Sequence, residues 1–296
     1  MTIAGAATRG RRSPRGREAL LAYGLIAPAF IILAVFSFYP LYRLFRFALY
    51  RPNRFGTGER YVGWSNLPKV LGGDEFQSGL WITLKYVLYT VPPGLALGLL
   101  LALAANRRLR GIKIFQTIFS STVASSVAVA SVVFFGLVNP EIGKFGRVAF
   151  IDLSSSDSAL RGVALSSIWQ NMGLTFVIVL AGLQALPDEV LEASRIDGFG
   201  PIRRLFRVIL PMISPTLLFL VVVLVIFAFQ SFAPMEFLTG GGPAGSTETL
   251  VFKIFRRQEF GRINEGAVMS LGLFGLTFAV TLLQLTVLNR RIHYGN

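Results

Sequence analysis

Six apolar runs organise this chain, each closed by polar or basic positions and each long enough to cross a bilayer. A hydrocarbon core of about 30 Å takes roughly 20 residues of helix. The runs fall at about 20–39, 80–105, 114–138, 164–186, 211–233 and 267–288. Inside lipid every backbone N–H and C=O must find a partner within its own segment, so runs of this length predict helices. Pro92-Pro93 in the second run and Pro215 in the fifth predict kinks or local unwinding, because proline lacks the N–H and crowds the carbonyl four residues earlier. The fold class this pattern predicts is all-α integral membrane, with six transmembrane helices and no soluble domain.

Composition supports that reading. Only 15% of residues are charged and 53% are hydrophobic, against about a quarter charged in soluble domains. The 29 Lys+Arg and net charge of +14 could indicate nucleic acid, but the cations cluster at the ends of apolar runs. There they orient spans and meet membrane lipids, and no nucleic-acid partner is expected. With no cysteine, and His293 the only histidine, thiol catalysis, a Ser-His-Asp triad and a His or Cys metal cluster are excluded. No catalytic residue and no metal site is predicted.

An even number of spans places both termini on one side. The basic N-terminal tail (1–19), the short loop at 106–113 and Arg290-Arg291 make that side cytoplasmic. The opposite segments are not poor in charge. Arg43, Arg46, Arg51, Arg54, Arg60 and Lys69 follow the first run, and Lys253, Arg256, Arg257 and Arg262 follow the fifth. The bias is therefore clearest in the short loop and at the first helix. Arg11-Arg12 invites a twin-arginine export reading. The run behind it is too long for a signal h-region and lacks a small-x-small cleavage site, so it reads as an uncleaved first span. The chain divides into the tail (1–19), a membrane domain (20–290) and a cytoplasmic C-terminal tail (291–296).

Residues 187–211 read as helix, break, helix. Pro187-Asp188-Glu189 gives an N-terminal turn with acids placed for the helix dipole. Val190–Ile196 forms about two turns, and Gly198 and Gly200 stop them. Pro201 suits the first turn of a second helix, in which Arg203, Arg204 and Arg207 contrast with Ile202, Leu205, Phe206 and Ile209.

Within this segment Glu192-Ala193-Ser194, Asp197-Gly198 and Val208-Ile209-Leu210-Pro211 resemble the EAA loop of bacterial ABC-importer permeases, E-A-A-x3-G-x9-I-x-L-P. Ser194 and Val208 are the departures, both mild. Further resemblance to carbohydrate-uptake permeases covers residues 20–290. It includes Phe38-Tyr39-Pro40-Leu41-Tyr42, Val62-Gly63-Trp64-Ser65-Asn66 and Thr239-Gly240-Gly241-Gly242-Pro243 followed by Thr247 and Thr249-Leu250. Within that group Gln116–Ala128, Phe135–Pro140 and Ile196–Phe206 resemble the first permease subunit of glycerol-3-phosphate and glycerophosphodiester importers.

The resemblance implies a multi-pass permease of the bacterial plasma (inner) membrane with a cytoplasmic coupling-helix (EAA) loop at 187–211. The expected partners are a second homologous permease subunit, two ATP-binding subunits and an external solute-binding (lipo)protein. The chain itself is not an enzyme and takes no cofactor, since ATP and Mg are bound by the partner subunits. The coupling residues would be Glu192, Ala193, Ser194, Asp197, Gly198, Leu210 and Pro211. The solute would be glycerol-3-phosphate or a glycerophosphodiester such as glycerophosphocholine, the alternative being a maltose- or trehalose-type sugar.

Polar residues inside spans are costly in hydrocarbon and tend to face a cavity. Trp169, Gln170, Asn171, Gln230 and Ser231 are therefore the candidate substrate-pathway residues. Gln284 and Lys85 are also polar, Lys85 being placed to snorkel, while the small residues around Ser120-Ser121-Thr122 read as helix packing. The run Gly240–Thr247 imitates a phosphate-binding loop, but Ser246 stands where a lysine must reach the phosphates. A secondary transporter would need intramembrane carboxylates, and Glu236 is the only acid near the edge of a run.

Overall fold

The computed structural model describes residues 15–52, 58–106 and 110–289. Residues 1–14 and 291–296 of the two tails, together with Arg54, Arg107, Arg108, Arg290 and His293, lie outside the described residues.

The first span opens with α1 (Arg15–Leu33) and, after one π-helical turn at Ala34–Phe38, continues as α2 (Tyr39–Leu49). Proline at position 40 cannot supply an N–H to the carbonyl of Phe36. The wider turn, closed by the Tyr39 N–H on Ala34 O, takes up its ring. The span therefore runs ten residues beyond its predicted end. A short antiparallel hairpin follows, β1 (Tyr50–Pro52) against β2 (Glu59–Tyr61), with Tyr50 opposite Tyr61. It is the one β element in this all-α fold among the described residues.

After α3 (Asn66–Leu71) comes α4 (Asp74–Ala105), 32 residues that stay helical through Pro92-Pro93. The unwinding predicted there does not occur. The third span is not one rod. It is α5 (Ile112–Ser120) and a 3-10 turn at Ser121–Ala124, then α6 (Val127–Val138), with a 106° bend between the two parts. Ser125 and Ser126 are both extended, and the Ser126 Oγ accepts the Val129 N–H at 3.2 Å. An N-cap inside the apolar run thus starts a new helix.

Helix α7 (Ala159–Gln184) is the fourth span. The polar loop after it holds α8 (Asp188–Ile196) and α9 (Pro201–Arg204), then a π turn at Leu205–Ile209 and α10 (Leu210–Met212). This π turn lies immediately before Leu210-Pro211, as the first lies before Tyr39-Pro40, and the cause is the same. The fifth span breaks by 69° at Ile213, so Pro215 sits in the first turn of α11 (Ser214–Phe229) instead of kinking it. Predicted to reach Ala233, the helix ends at Phe229, and Gln230–Phe232 is a break before α12 (Ala233–Thr239). Two further helices, α13 (Leu250–Glu259) and α14 (Ile263–Asn289), complete the described chain.

Four helical stretches are long and apolar enough to span on their own, and each bent pair counted as one crossing gives the predicted six. The centre of the bundle is α4 against α7. Glycines make that approach possible. A Cβ on Gly94 would lie 2.5 Å from Asn171 Cβ, and one on Gly98 would lie 2.5 Å from Thr175 Cβ. One apolar cluster joins Tyr86, Val163, Leu224, Phe229, Met235 and Phe252, and a second joins Ala102, Phe176, Leu183, Ile213 and Leu220. At the end of the bundle away from the α8–α9 loop, Arg257 of α13 pairs with Glu75 of α4 and with Glu265 of α14 (2.9 Å).

Candidate functional site

Two places in the bundle gather the polar residues that the sequence offers. The first is a cavity of about 650 Å³ between α4, α7, the Thr122–Val127 bend and the Gln230–Phe232 break. Both interruptions of the helical ladder open onto it, as expected where irregular backbone lines a cavity and not lipid.

Of the predicted pathway residues, Gln170, Asn171, Gln230 and Ser231 line this cavity. Trp169 does not. Its ring packs against Phe134, centroids 5.9 Å apart, one residue around α7 from the cavity face. The sequence reading missed Tyr86, Thr90, Thr122, Ser125 and Ser167, which also line it. Tyr86 is fully buried, and its hydroxyl bonds Ser167 Oγ at 2.5 Å and Ser231 Oγ at 3.1 Å. Gln170 Nε2 donates to the Ser125 carbonyl at 3.2 Å. Thr122, read as packing, does both jobs. A Cβ on Gly173 would overlap its Oγ1, and it lines the cavity as well. The lining is hydroxyl, amide and apolar, with no charged residue among the described ones. Such a surface can hydrogen-bond a hydroxylated solute. Lys85 lies elsewhere, its Nζ 5.4 Å from the Trp81 ring centroid, and Gln284 Oε1 is buried without a hydrogen-bond partner among the described residues.

The second place is the α8–α9 loop. Helix α8 ends in a closed hydrogen-bond pattern: Gly198 N–H donates to Arg195 O (3.1 Å) and Phe199 N–H to Ser194 O (3.1 Å). With φ of +73° at Gly198 this is the glycine-terminated Schellman arrangement. Arg203 then lies 4.5 Å over the Phe199 ring and fixes α9 against the turn. Ser194 is buried, its Oγ bonded to Leu191 O at 2.7 Å, so the position requires a small side chain. Glu192 and Ala193 are exposed, and Ile196, Ile202 and Phe206 expose 86%, 75% and 63% of their surface. Large apolar groups this exposed on a polar loop are available to a partner protein or to the membrane boundary. Behind the loop, Glu192 and Arg195 also line a groove with Lys113, Gln116 and Arg204, against the ends of α4, α5 and α7.

The glycine-rich run after α12 is a tight connection. Gly240, Gly241 and Gly245 have positive φ, and the Thr247 Oγ1 bonds Gly242 O and Thr239 Oγ1.

Residues 94–294, which include the cavity lining apart from Tyr86 and Thr90, the α8–α9 loop and the last span, match the family described as binding-protein-dependent transport system inner membrane component. The chain belongs to this family. Two curated relatives are the sn-glycerol-3-phosphate transport system permease proteins UgpA of Agrobacterium fabrum and of Yersinia pestis. The first is 32% identical over 93% of this chain and 97% of the relative, the second 32% over 93% and 96%. Among solved structures, a bacterial ABC transporter involved in the import of the acidic polysaccharide alginate has a chain with TM-score 0.77 at 20% identity, covering 93% of this chain and 96% of that one. A chain of the bacterial alginate ABC transporter in complex with alginate pentasaccharide-bound periplasmic protein reaches 0.80 at 19% identity, covering 95% and 98%. At that identity these two share the fold. As a member of this family the chain is an inner-membrane transport component and not an enzyme.

Proposed function

We propose that this chain is the membrane-spanning permease subunit of an ATP-driven importer of glycerol-3-phosphate or glycerophosphodiesters such as glycerophosphocholine. The observation that carries the substrate class is similarity along nearly the whole chain, 93% of it, to permeases named for sn-glycerol-3-phosphate transport. The cavity at Tyr86, Ser167, Gln170, Asn171 and Ser231 is the transport site in this reading.

A second, homologous permease subunit completes the pathway, two ATP-binding subunits engage the α8–α9 loop, and an external solute-binding protein delivers the solute. ATP and Mg belong to the ATP-binding subunits. The loop faces the cytoplasm, as do both termini. Closure of the ATP-binding pair moves α8 and α9, and the Schellman turn at Gly198 transmits that movement through Pro211 to α11. Exposed Glu192, Ala193, Ile196, Ile202 and Phe206 meet the partner, while buried Ser194 and positive-φ Gly198 hold the shape it meets.

The uncharged lining of the cavity favours a second reading, a maltose- or trehalose-type sugar. ATPase activity of the reconstituted complex with its binding protein separates the two. Stimulation by glycerol-3-phosphate or glycerophosphocholine and none by maltose or trehalose supports the first; the opposite pattern replaces it by the second.

A further inference from the structure

A phosphorylated solute brings a negative charge into a cavity whose lining holds no cation among the described residues. Burying an anion without compensation is prohibitive, so on this chain's side of the pathway positive potential has to come from the backbone. One element is placed to do so. Helix α6 is 12 residues long and starts at the cavity, where Thr122, Val123, Ser125 and Val127 all form part of the wall.

The donors at that helix end are only partly used. Ser126 Oγ takes the Val129 N–H, and Ser126 O takes the Ala130 N–H at 3.0 Å. The amides of Val127 and Ala128 have no protein acceptor among the described residues. Free amides and the aligned peptide dipoles, worth about half a positive charge, make a helix start attractive to anions.

Asn171 is the independent observation. It is 9% exposed, lines the same cavity, and its side-chain amide has no hydrogen-bond partner among the described residues. The amide atoms keep access to the cavity while the rest of the residue is buried, so they are available to a ligand or water there. Gly94 makes room for it, since any Cβ there would meet Asn171. The Ser125 carbonyl, the nearby group that would repel an anion, is already occupied by Gln170 Nε2.

We infer that the first turn of α6 and the Asn171 amide form a seat for the phosphate group of the solute, leaving the hydroxyls of Tyr86, Ser167 and Ser231 for its glycerol part. The seat rests on the cavity being the transport site proposed above. Half-helices starting at a cavity inside a bundle serve anionic groups elsewhere in membrane transport, and here the helix end stands in for a missing cation.

The test uses the complete complex in proteoliposomes with saturating loaded binding protein, and reads uptake of glycerol-3-phosphate and of glycerophosphocholine. Val127→Pro removes one donor at the first helical position, where proline is well tolerated. Asn171→Asp keeps the side-chain shape and places a carboxylate at the seat; Asn171→Leu removes the amide without adding charge. Both Val127→Pro and Asn171→Asp should lower uptake at least tenfold, the scale of one lost hydrogen bond to a charged group. The rates should fall in the order wild type, Asn171→Leu, Asn171→Asp, whereas a purely structural role would favour the isosteric Asp over Leu. Uptake within twofold of wild type in Val127→Pro and Asn171→Asp, or Asp faster than Leu, overturns the seat while leaving the transport function intact. A wild-type complex that moves neither phosphorylated solute overturns both.

Discussion

Asn66 Nδ2 donates to Asn264 Oδ1 at 2.8 Å, joining α3 to the start of α14 across 198 positions of sequence. Asn264, 5% exposed, turns its own amide to the carbonyls of Phe47, Ala48 and Tyr50 at 2.7, 3.0 and 3.3 Å. One side chain therefore stops α2, orients the hairpin and fixes both to the last span. Asn66 is the final letter of the Gly63–Asn66 motif, and holding Asn264 in the correct rotamer gives that motif a physical reason.

Asn264→Ala leaves those carbonyls without their donor in a buried place. The expected cost is about 1–3 kcal/mol, the range for stranding buried polar groups, and Asn66→Ala should cost less because α3 is half-exposed. Thermal unfolding of the purified complex in detergent measures both. A midpoint for Asn264→Ala equal to wild type would show that the clamp contributes nothing.

Gly98 faces Thr175 at a close approach of α4 and α7, and a Cβ there would also lie 2.6 Å from Met172 O. Backbone cannot step aside as a flexible side chain can, so the helices must separate. Gly98→Val should destabilise by about 1–3 kcal/mol, the usual cost of overpacking. Gly136, whose Cβ would meet nothing within 4 Å, is the control, and Gly136→Ala should be close to neutral in the same assay.

At Gly198 the opposite holds: a Cβ placed there would meet no atom within 4 Å, but φ is +73°. The penalty for a side chain is therefore backbone strain alone, about 1–2 kcal/mol for alanine. Asparagine, which tolerates this conformation, should retain more function than alanine, and proline should abolish coupling. Solute-stimulated ATPase, with co-purification of the ATP-binding subunits, reads the series. An alanine variant more active than asparagine would contradict the strain account.

The proposed orientation has a direct test, since the chain lacks cysteine. Ile196→Cys lies on the proposed cytoplasmic surface and Trp64→Cys on the opposite one, with 86% and 63% of the native side chains exposed. Ser194, on the buried face of α8, would be a poor choice. An impermeant thiol reagent on intact cells should label position 64 and spare position 196, and the reverse pattern would invert the topology.

Much of this was legible in the sequence, for identifiable reasons. Spans announce themselves because lipid tolerates few polar groups, and the α8–α9 loop did so because its glycines and prolines fix local geometry. The breaks were harder. Ser125-Ser126 sits within small and apolar residues, so hydropathy passes over it, although serine followed by a helical run is a readable N-cap. Gln170, Asn171, Gln230 and Ser231 stood out as amides and hydroxyl in apolar runs. Tyr86 and Ser167 did not, because a tyrosine counts as apolar until its hydroxyl is seen to have partners. Trp169 was drawn in by its neighbours, and helical geometry turns it about 100° away from Gln170.

Tyr86 is the last residue whose role can be separated from packing. Its hydroxyl ties α4 to α7 through Ser167 and to the break after α11 through Ser231, so three elements of the cavity wall meet at one oxygen. Tyr86→Phe keeps the ring, and the fold should lose only about 0.5–1.5 kcal/mol, the net worth of ordinary hydrogen bonds. The break at Gln230–Phe232, however, loses its tie to the central pair. Transport should therefore fall further than stability does, by about tenfold at a temperature where the complex remains fully folded. Ser231→Ala should reproduce most of that loss, and the double variant should add little, because both remove the same link. Additive losses in the double variant, or uptake that declines only in step with the thermal midpoint, would reduce Tyr86 to a packing residue.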